Sequence, residues 1–452
     1  MNIVWIIIDC LRADRLGCSG YERPATPNLD RVAREGTRFT QCISPHIPTE
    51  PAHTSFFASK DVFSHQIVAQ GVKKEPEPGL RLLPQILRER GYFTAAVDNL
   101  GRWIEPAFEQ YETYPRWNHD GSKPWRNGEQ VTERALRVVE RYDGRRPFFL
   151  FLHYWDPHTP YLPPAPFDRM FYSGDEKDPG NHSMDPVWQS PWFTQYFAEW
   201  LPGVTDIEYV RAQYDAAVAY SDACVGRVLQ ALERRGMLDD TLLVIGSDHG
   251  EELDDHGMWF DHHGLYDTNT RVPLILWSPG RIPSGMRIEG QVSLMDLTPT
   301  LLEIAGMPEV PEAEEMQGRS LLPLLRGEAR GTWEALYCTE CTWMRKRAWR
   351  TPEWKLIRAL EEDIYGNPMI ELYALNADPG ERHNLAESRP EVVRELGDAM
   401  DRWVCQRLAA TGLPDPIEAQ AGALRIWQPR FIAGHPQWKK VLLKGRNVLL
   451  GA

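Results

Sequence analysis

The 452-residue sequence predicts an α/β protein in which a central, mostly parallel sheet is flanked by helices and followed by a smaller α+β domain. Three observations carry that expectation. Short β-rich apolar runs alternate with helical patterns over the first three-quarters of the chain, as parallel strands joined by crossover helices require. Several of those runs end abruptly in Asp, Asn or His, at the strand ends where open α/β sheets bind ligands. From about residue 335 the alternation gives way to two or three strands and one long helix. Residues 1–334 are expected to form the main domain, 335–412 the smaller one and 413–452 a tail.

The first run, Asn2–Ile8, reads as a buried strand. It is too short for a signal peptide, has no basic flank and ends in Asp9-Cys10. Thr26-Pro27 starts a helix, Leu29, Val32 and Ala33 give it an apolar face, and Gly36 stops it. A strand, Thr37–Ile43, leads into Pro48-Thr49-Glu50-Pro51-Ala52-His53-Thr54-Ser55. A helix is expected from Pro51, since proline suits a first helical position, where no N–H bond is needed. Thr49 then precedes a helix N-terminus, a place for an anion such as phosphate or sulfate. Taken alone, a Thr-x-Pro of this kind reads as a simple helix cap, and only the rest of the chain changes that.

Helix Leu80–Arg90 is closed by Gly91, and strand Tyr92–Val97 delivers Asp98 and Asn99. A helix around Val131–Tyr142 precedes strand Phe148–Leu152, which ends in His153-Tyr154-Trp155-Asp156-Pro157-His158. Residues 162–204, rich in Pro, Trp, Phe and Asp without a period, are expected to be a lid or substrate wall. A long helix, Ile207–Arg234, leads to strand Leu242–Ile245 and directly into Ser247-Asp248-His249-Gly250-Glu251. The density of Asp and His from there to Asp261-His262-His263 is the strongest metal signal in the chain.

A net charge of −14 argues against a nucleic-acid polymer as partner, because such binding needs a basic footprint. An anionic substrate would need locally placed cations, which metal ions supply most compactly. No segment reaches the 18 or so apolar residues of a membrane span, so no membrane partner is expected. Seven cysteines without a regular framework suggest reduced thiols and a cytoplasmic location. Cys338-Thr339-Glu340-Cys341 is a lone C-x-x-C with no second pair. The tail beyond Gln420 carries Arg425, Arg430, Lys439, Lys440, Lys444 and Arg446 and no acidic residue, which suits an intersubunit arm of a homo-oligomer.

Asp9, Thr49 with His53, and Asp248-His249 lie at three strand ends; His153, Asp156 and His158 lie at a fourth. Carboxylates and imidazoles converging on one sheet edge suit a divalent transition metal. Coordination lowers the pKa of a threonine hydroxyl and orients its oxygen. Thr49 could then attack a phosphoryl centre and form a phospho-enzyme that water hydrolyses, with histidines protonating the leaving group and holding the equatorial oxygens.

These stretches closely resemble the sulfatase branch of the alkaline phosphatase superfamily, to about residue 410. The matching segments are Asn2–Asp9 with Arg12-Ala13-Asp14, Thr26-Pro27-Asn28-Leu29-Asp30, residues 49–59, Pro157-His158-Thr159-Pro160-Tyr161, Ser247-Asp248-His249-Gly250-Glu251, Arg271-Val272-Pro273-Leu274, Asp296-Leu297-Thr298-Pro299-Thr300, and Glu371-Leu372-Tyr373 with Asp378-Pro379-Gly380-Glu381. The resemblance implies an alkaline-phosphatase-like fold, with Asp9, Asp248 and His249 as metal ligands and Thr49 as nucleophile. His53 falls where sulfatases carry the arginine of their maturation signature and is expected to contact the phosphoryl oxygens. His158 matches a histidine that contacts the scissile group, and His262 lies near a lysine that does likewise. Gln70 and Asn99 are weaker matches to the pocket wall.

The departures point away from sulfate. Sulfatases convert a cysteine or serine to formylglycine, and Thr49 cannot be so converted. The aspartate pair after the first strand is Asp9-Cys10 here, and an Asp-Asn pair of calcium-binding members is Asp248-His249. An imidazole in place of an oxygen ligand favours Mn²⁺ or Zn²⁺ over Mg²⁺ or Ca²⁺. The expected activity is hydrolysis of small phosphate mono- or diesters or phosphonate monoesters, as in the threonine-using phosphodiesterases and phosphonate monoester hydrolases of the superfamily. A sulfatase working without formylglycine and a non-catalytic anion-binding relative are the alternatives. One metal site is expected from Asp9, Thr49, Asp248 and His249. A second could be drawn from His153, Asp156, His158 and His263, or His158 and His262 could act as acid and phosphate clamp beside a single ion.

Overall fold

The computed structural model describes residues 1–71, 74–114, 127–190, 194–310, 315–363 and 365–420. Its strands are β1 (Asn2–Ile8), β2 (Thr37–Ile43), β3 (His46–Ile47), β4 (Phe93–Val97), β5 (Gln110–Glu112), β6 (Phe148–Tyr154), β7 (Thr241–Gly246), β8 (Arg271–Trp277), β9 (Met286–Ile288), β10 (Val292–Ser293), β11 (Leu336–Glu340), β12 (Lys346–Arg350), β13 (Trp354–Ala359) and β14 (Ile370–Ala374). Nine of them form one sheet in the order β10-β2-β8-β7-β1-β6-β4-β5, with β9 beside β2. Its central run β7-β1-β6-β4 is parallel throughout, and only β8 runs against its neighbours. The sheet is thus mostly parallel, as the alternating pattern requires.

Every residue of β1, β6 and β7 is buried, which is why these strands read as unbroken apolar runs: helices cover both faces. Alternation along β1 sorts the core into two layers. Val4, Ile6 and Ile8 face the helices Asn127–Arg141 and Ile207–Arg234, while Ile3, Trp5 and Ile7 face helices Thr49–Ala58, Leu83–Glu89 and Leu297–Ile304. By the same alternation Asp9 and His153 fall on the Thr49–Ala58 side, continuing the rows Ile3-Trp5-Ile7 and Phe149-Phe151.

Helix Thr49–Ala58 is buried along its whole length. Phe56 and Phe57 lie with ring centroids 4.8 and 5.4 Å from Trp5. Each such ring contributes roughly 1.5–3 kcal/mol of burial, more than the propensities of Thr, His and Phe give the helix. Packing, not propensity, holds it.

The second sheet has five strands, β14-β13-β12-β11-β3. Four are antiparallel and come from residues 336–374, but the fifth, β3, is borrowed from just before Thr49 and pairs parallel with β11. The helix Pro390–Thr411 packs on this sheet through Leu396, Met400 and Val404.

Several boundaries differ from those the sequence predicts. The helix expected from Pro51 begins at Thr49, and Pro51 sits third in its first turn, where an N–H is still not needed. Helices expected at Leu80–Arg90 and Val131–Tyr142 run Leu83–Glu89 and Asn127–Arg141, and the strand expected from Tyr92 starts at Phe93. Residues 162–204 hold a short 3-10 turn and the helices Asp185–Gln189 and Thr194–Trp200. Their Met184, Val187, Phe197, Trp200 and Leu201 belong to the main core, so the stretch lacks a period because it changes direction, not because it lacks structure. The basic tail beyond Gln420 lies outside the described residues. No described helix is long and apolar enough to cross a membrane. All seven cysteines are free, and Cys338 and Cys341 are buried in different apolar clusters.

Candidate active site

Four neighbouring parallel strands open at the same edge, and the residue at or just past each end is polar. In spatial order these are Asp98 after β4, His153 near the end of β6, Asp9 after β1, and Asp248-His249 after β7. Register fixes the alignment, with Val97 opposite Leu152, and Ile7 opposite both His153 and Gly246. Helix Thr49–Ala58 lays Thr49 and His53 over this edge, one turn apart on one face.

Thr49, only 2% exposed, has its Oγ1 3.1 Å from His249 Nε2. That nitrogen is also 3.4 Å from Asp9 Oδ1 and 3.6 Å from Asp248 Oδ2. His249 Nδ1–H donates to Gly250 O at 2.9 Å, which leaves Nε2 as the nitrogen turned into the cluster. Asp9 Oδ1 and Asp248 Oδ2 are buried without a hydrogen-bond donor. Three oxygens and one nitrogen at these spacings, two of them carboxylate atoms lacking donors, fit a divalent cation.

Beneath Thr49, His53 is fully buried among Phe56, Phe57, Phe151 and His153, and its Nε2 lies 3.4 Å from Asp248 Oδ2. The sequence suggested a contact to phosphoryl oxygens; its place four residues into the helix instead turns it down onto the sheet edge. Burial pushes its pKa down. His153 bridges two carboxylates, with Nε2 3.3 Å from Asp9 Oδ2 and Nδ1 2.8 Å from Asp98 Oδ1. Burial opposes its charged form, but hydrogen bonds and charge from Asp9 and Asp98 outweigh that and push it up to about 10.

His262 stands on the opposite side, with its ring centroid 4.6 Å from that of His249 and 4.9 Å from that of His158. Its Nδ1 is 3.0 Å from Asp261 Oδ1 and 3.7 Å from Glu251 Oε2, and these carboxylates overcome burial to push it up to about 10. His158 Nδ1 donates to Thr159 O at 2.6 Å, and burial pushes His158 down to about 3. Cys10, with a left-handed φ of 60°, places Sγ 3.8 Å from Nδ1 of both His249 and His262.

The quartet His153, Asp156, His158 and His263 does not converge. Asp156 Oδ2 accepts from Gly128 N at 2.9 Å, binding the start of helix Asn127–Arg141. His263 turns to Tyr365 Oη at 2.6 Å and to Asp261. His158 gathers with Asp9 and Cys10, and His153 with His53 and Asp248. Gln70 Oε1 accepts from Glu50 N at 2.8 Å, satisfying a donor at the start of helix Thr49–Ala58, and Asn99 Oδ1 accepts from Trp155 Nε1 at 2.6 Å. Both therefore brace the site's frame. Sequence reasoning named Asp98, Glu251 and Asp261 within the stretches it singled out but gave none of them a role in the site; the missing information was which strand ends are neighbours.

Residues 1–307 match the profile of the Sulfatase family, and residues 254–405 match that of N-sulphoglucosamine sulphohydrolase, C-terminal. A multifunctional alkaline phosphatase superfamily protein of Trinickia caryophylli is 28% identical across 74% of this chain and 78% of its own length. An N-acetylglucosamine-6-O-sulfatase of Bacteroides thetaiotaomicron is 26% identical across 89% of this chain and 86% of its own. Among solved structures, the phosphonate monoester hydrolase of Agrobacterium radiobacter superimposes with a TM-score of 0.71 at 21% identity, covering 90% of this chain and 96% of that one. The sheet order, the polar strand ends and a family profile covering two-thirds of the sequence agree: this chain belongs to the sulfatase family of the alkaline phosphatase superfamily.

Proposed function

We propose that the chain hydrolyses phosphate esters or phosphonate monoesters, with Thr49 as nucleophile and Asp9, Thr49, Asp248 and His249 holding a divalent ion. The observation that carries this reading is Thr49 Oγ1, buried at a helix start and 3.1 Å from His249 Nε2, which lies between two carboxylate oxygens that lack donors. The ion, when bound, lowers the pKa of the hydroxyl and offsets the charge of the phosphoryl group. Thr49 attacks phosphorus through Oγ1, and the ester oxygen leaves on the opposite side. The helix start beside Thr49 directs its positive end at the charge that develops. His262, held between Asp261 and Glu251, presents a proton donor to an equatorial or leaving oxygen. Water then releases the group from Thr49.

Phosphorus is favoured over sulfur by the nucleophile itself. A threonine carries a methyl group on Cβ, so it cannot become the aldehyde that formylglycine chemistry needs. Sulfate ester hydrolysis is the second reading, supported by the sulfatases among the relatives and by the C-terminal profile. Mn²⁺ and Zn²⁺ are the favoured ions, from the imidazole in the ligand set.

The test is a matrix of p-nitrophenyl phosphate monoesters, diesters, phosphonates and sulfates against Mn²⁺, Zn²⁺, Mg²⁺ and Ca²⁺ after chelation. Turnover of a phosphorus ester above that of the sulfate is expected. Faster sulfate turnover would replace this reading with the second.

A further inference from the structure

We infer that a second divalent cation binds directly beneath the first, held by His53, His153, Asp9 and Asp248. The inference rests on the metal site proposed above to the extent that it shares both carboxylates with it, while its two histidines belong to neither the nucleophile nor the substrate side.

Four observations point there. First, the spacing is that of a coordination shell. His153 Nε2 is 3.3 Å from Asp9 Oδ2, His53 Nε2 is 3.4 Å from Asp248 Oδ2, and the two imidazole centroids are 4.6 Å apart. Tetrahedral bonds of about 2.0–2.1 Å put neighbouring ligand atoms roughly 3.3–3.4 Å apart.

Second, the atoms lack other partners. Both ring nitrogens of His53, and Asp248 Oδ2, are buried without a hydrogen bond, although the two residues approach within 3.4 Å. Leaving such buried groups unsatisfied is destabilising. A ligand bond would relieve His53 Nε2 and Asp248 Oδ2 together.

Third, His153 has the outer support of a metal-bound imidazole. Its far nitrogen meets Asp98 Oδ1 at 2.8 Å, and Tyr111 Oη donates to Asp98 Oδ2 at 2.6 Å, so the ring is fixed with Nε2 facing inward.

Fourth, among the described residues every ion-pair partner of Asp9, Asp98 and Asp248 is a histidine. Asp9 reaches both centres at once, with Oδ1 beside His249 and Oδ2 beside His153, as carboxylates do between ions about 3.5–4 Å apart.

Two imidazoles and two carboxylates select Zn²⁺, Mn²⁺ or Fe²⁺ over Ca²⁺. His53, His153 and Asp98 are each 0% exposed, so this ion would not touch substrate. It would fix the two shared carboxylates that set the position of the catalytic ion. The competing occupant of the gap is a proton on His153, bridging Asp9 and Asp98.

The test is the number and position of bound ions. Full-length protein is stripped with chelator, loaded with Zn²⁺ or Mn²⁺, freed of excess metal and assayed for metal per chain, and crystals of the loaded protein are mapped by anomalous scattering. Two ions per chain are expected in the wild type, one in His53→Gln and one in His249→Gln, in proteins whose circular dichroism matches the wild type. Two anomalous peaks, the deeper one between His53 and His153, support the inference even if a variant fails to fold. One wild-type ion at Thr49 and His249, kept in His53→Gln, overturns the second site and leaves the proposed catalytic site standing. One ion lost in His53→Gln but kept in His249→Gln would instead remove the catalytic assignment and leave the deeper site.

Discussion

The two sheets bury charge in opposite ways. Behind the second sheet, Asp267 meets Arg350 at 2.8 Å and Lys355 at 2.6 Å, Lys355 also meets Glu381 at 2.8 Å, and Lys346 meets both Asp363 and Glu371. There each acid has a cation from the chain itself, and the cluster is complete as built. At the edge of the large sheet, Asp9, Asp98 and Asp248 are as deeply buried, but among the described residues their only ion-pair partners are imidazoles, and two of their oxygens lack donors. Density of buried charge therefore does not mark a functional site. What marks it is charge that the chain leaves uncompensated.

The largest effect that would break this contrast is on catalysis. Thr49→Ala should lower kcat/KM on the best phosphorus ester by a factor of about 10³ or more, with Thr49→Ser retaining part of the activity. Kinetics beside an unfolding curve check this; near-wild-type rates for the alanine variant would remove Thr49 from the chemistry.

Asp267→Asn should act on the scaffold alone. It leaves Arg350 and Lys355 buried without their shared acid, for a loss of about 3–5 kcal/mol in a denaturant titration. Metal content per folded chain should not change. If it does, the two clusters are not independent.

Metal removal should show the reverse selectivity. An ion at a hundred times its Kd stabilises the fold by about 2.7 kcal/mol, so chelation should lower the unfolding midpoint and Mn²⁺ or Zn²⁺ should restore it, in wild type and Asp267→Asn alike. A midpoint indifferent to chelator would contradict a metal-compensated edge.

The smallest effect concerns Asp296, a buried acid held by neutral donors: Ser293 N, Arg319 N, Thr332 Oγ1 and Trp333 Nε1. Burial outweighs those bonds and raises it from 3.8 to about 6. Because the folded value lies above the unfolded one, its favourable contribution is complete below about pH 4 and is lost as pH rises through about 6. The stability advantage of wild type over Asp296→Asn should shrink across that window and then level off. An advantage that grows with pH would reverse the assignment.

Much of the large sheet was legible because fully buried parallel strands leave unbroken apolar runs, as in Asn2–Ile8 and Phe148–Tyr154. Asp9, Thr49, Asp248 and His249 could be named because each follows such a run or precedes a helix. Their companions were harder to read. His153 was grouped with Asp156 and His158, which follow it on the same segment, and with the later His263, whereas its neighbours are Asp98 and Asp9, one strand away on either side. Strand order is a long-range property, and nothing local to residue 153 encodes it. His53 was placed on the substrate side for a related reason: the helix begins at Thr49, so the residue four positions on points inward.

The pairing of β3 with β11 has a mechanical meaning. Thr339 and Glu340 register against His46 and Ile47, and two residues later the chain reaches Thr49. The hydroxyl is thus slung between two anchors, its upstream strand tied to the second sheet and its downstream helix wedged against Trp5 of the first. A chain cut before Leu336 would keep Asp9, Asp248 and His249 on their own strands yet free one end of the tether that aims Thr49. The C-terminal sheet therefore works as the far abutment of Thr49 rather than as an appendage to the main domain.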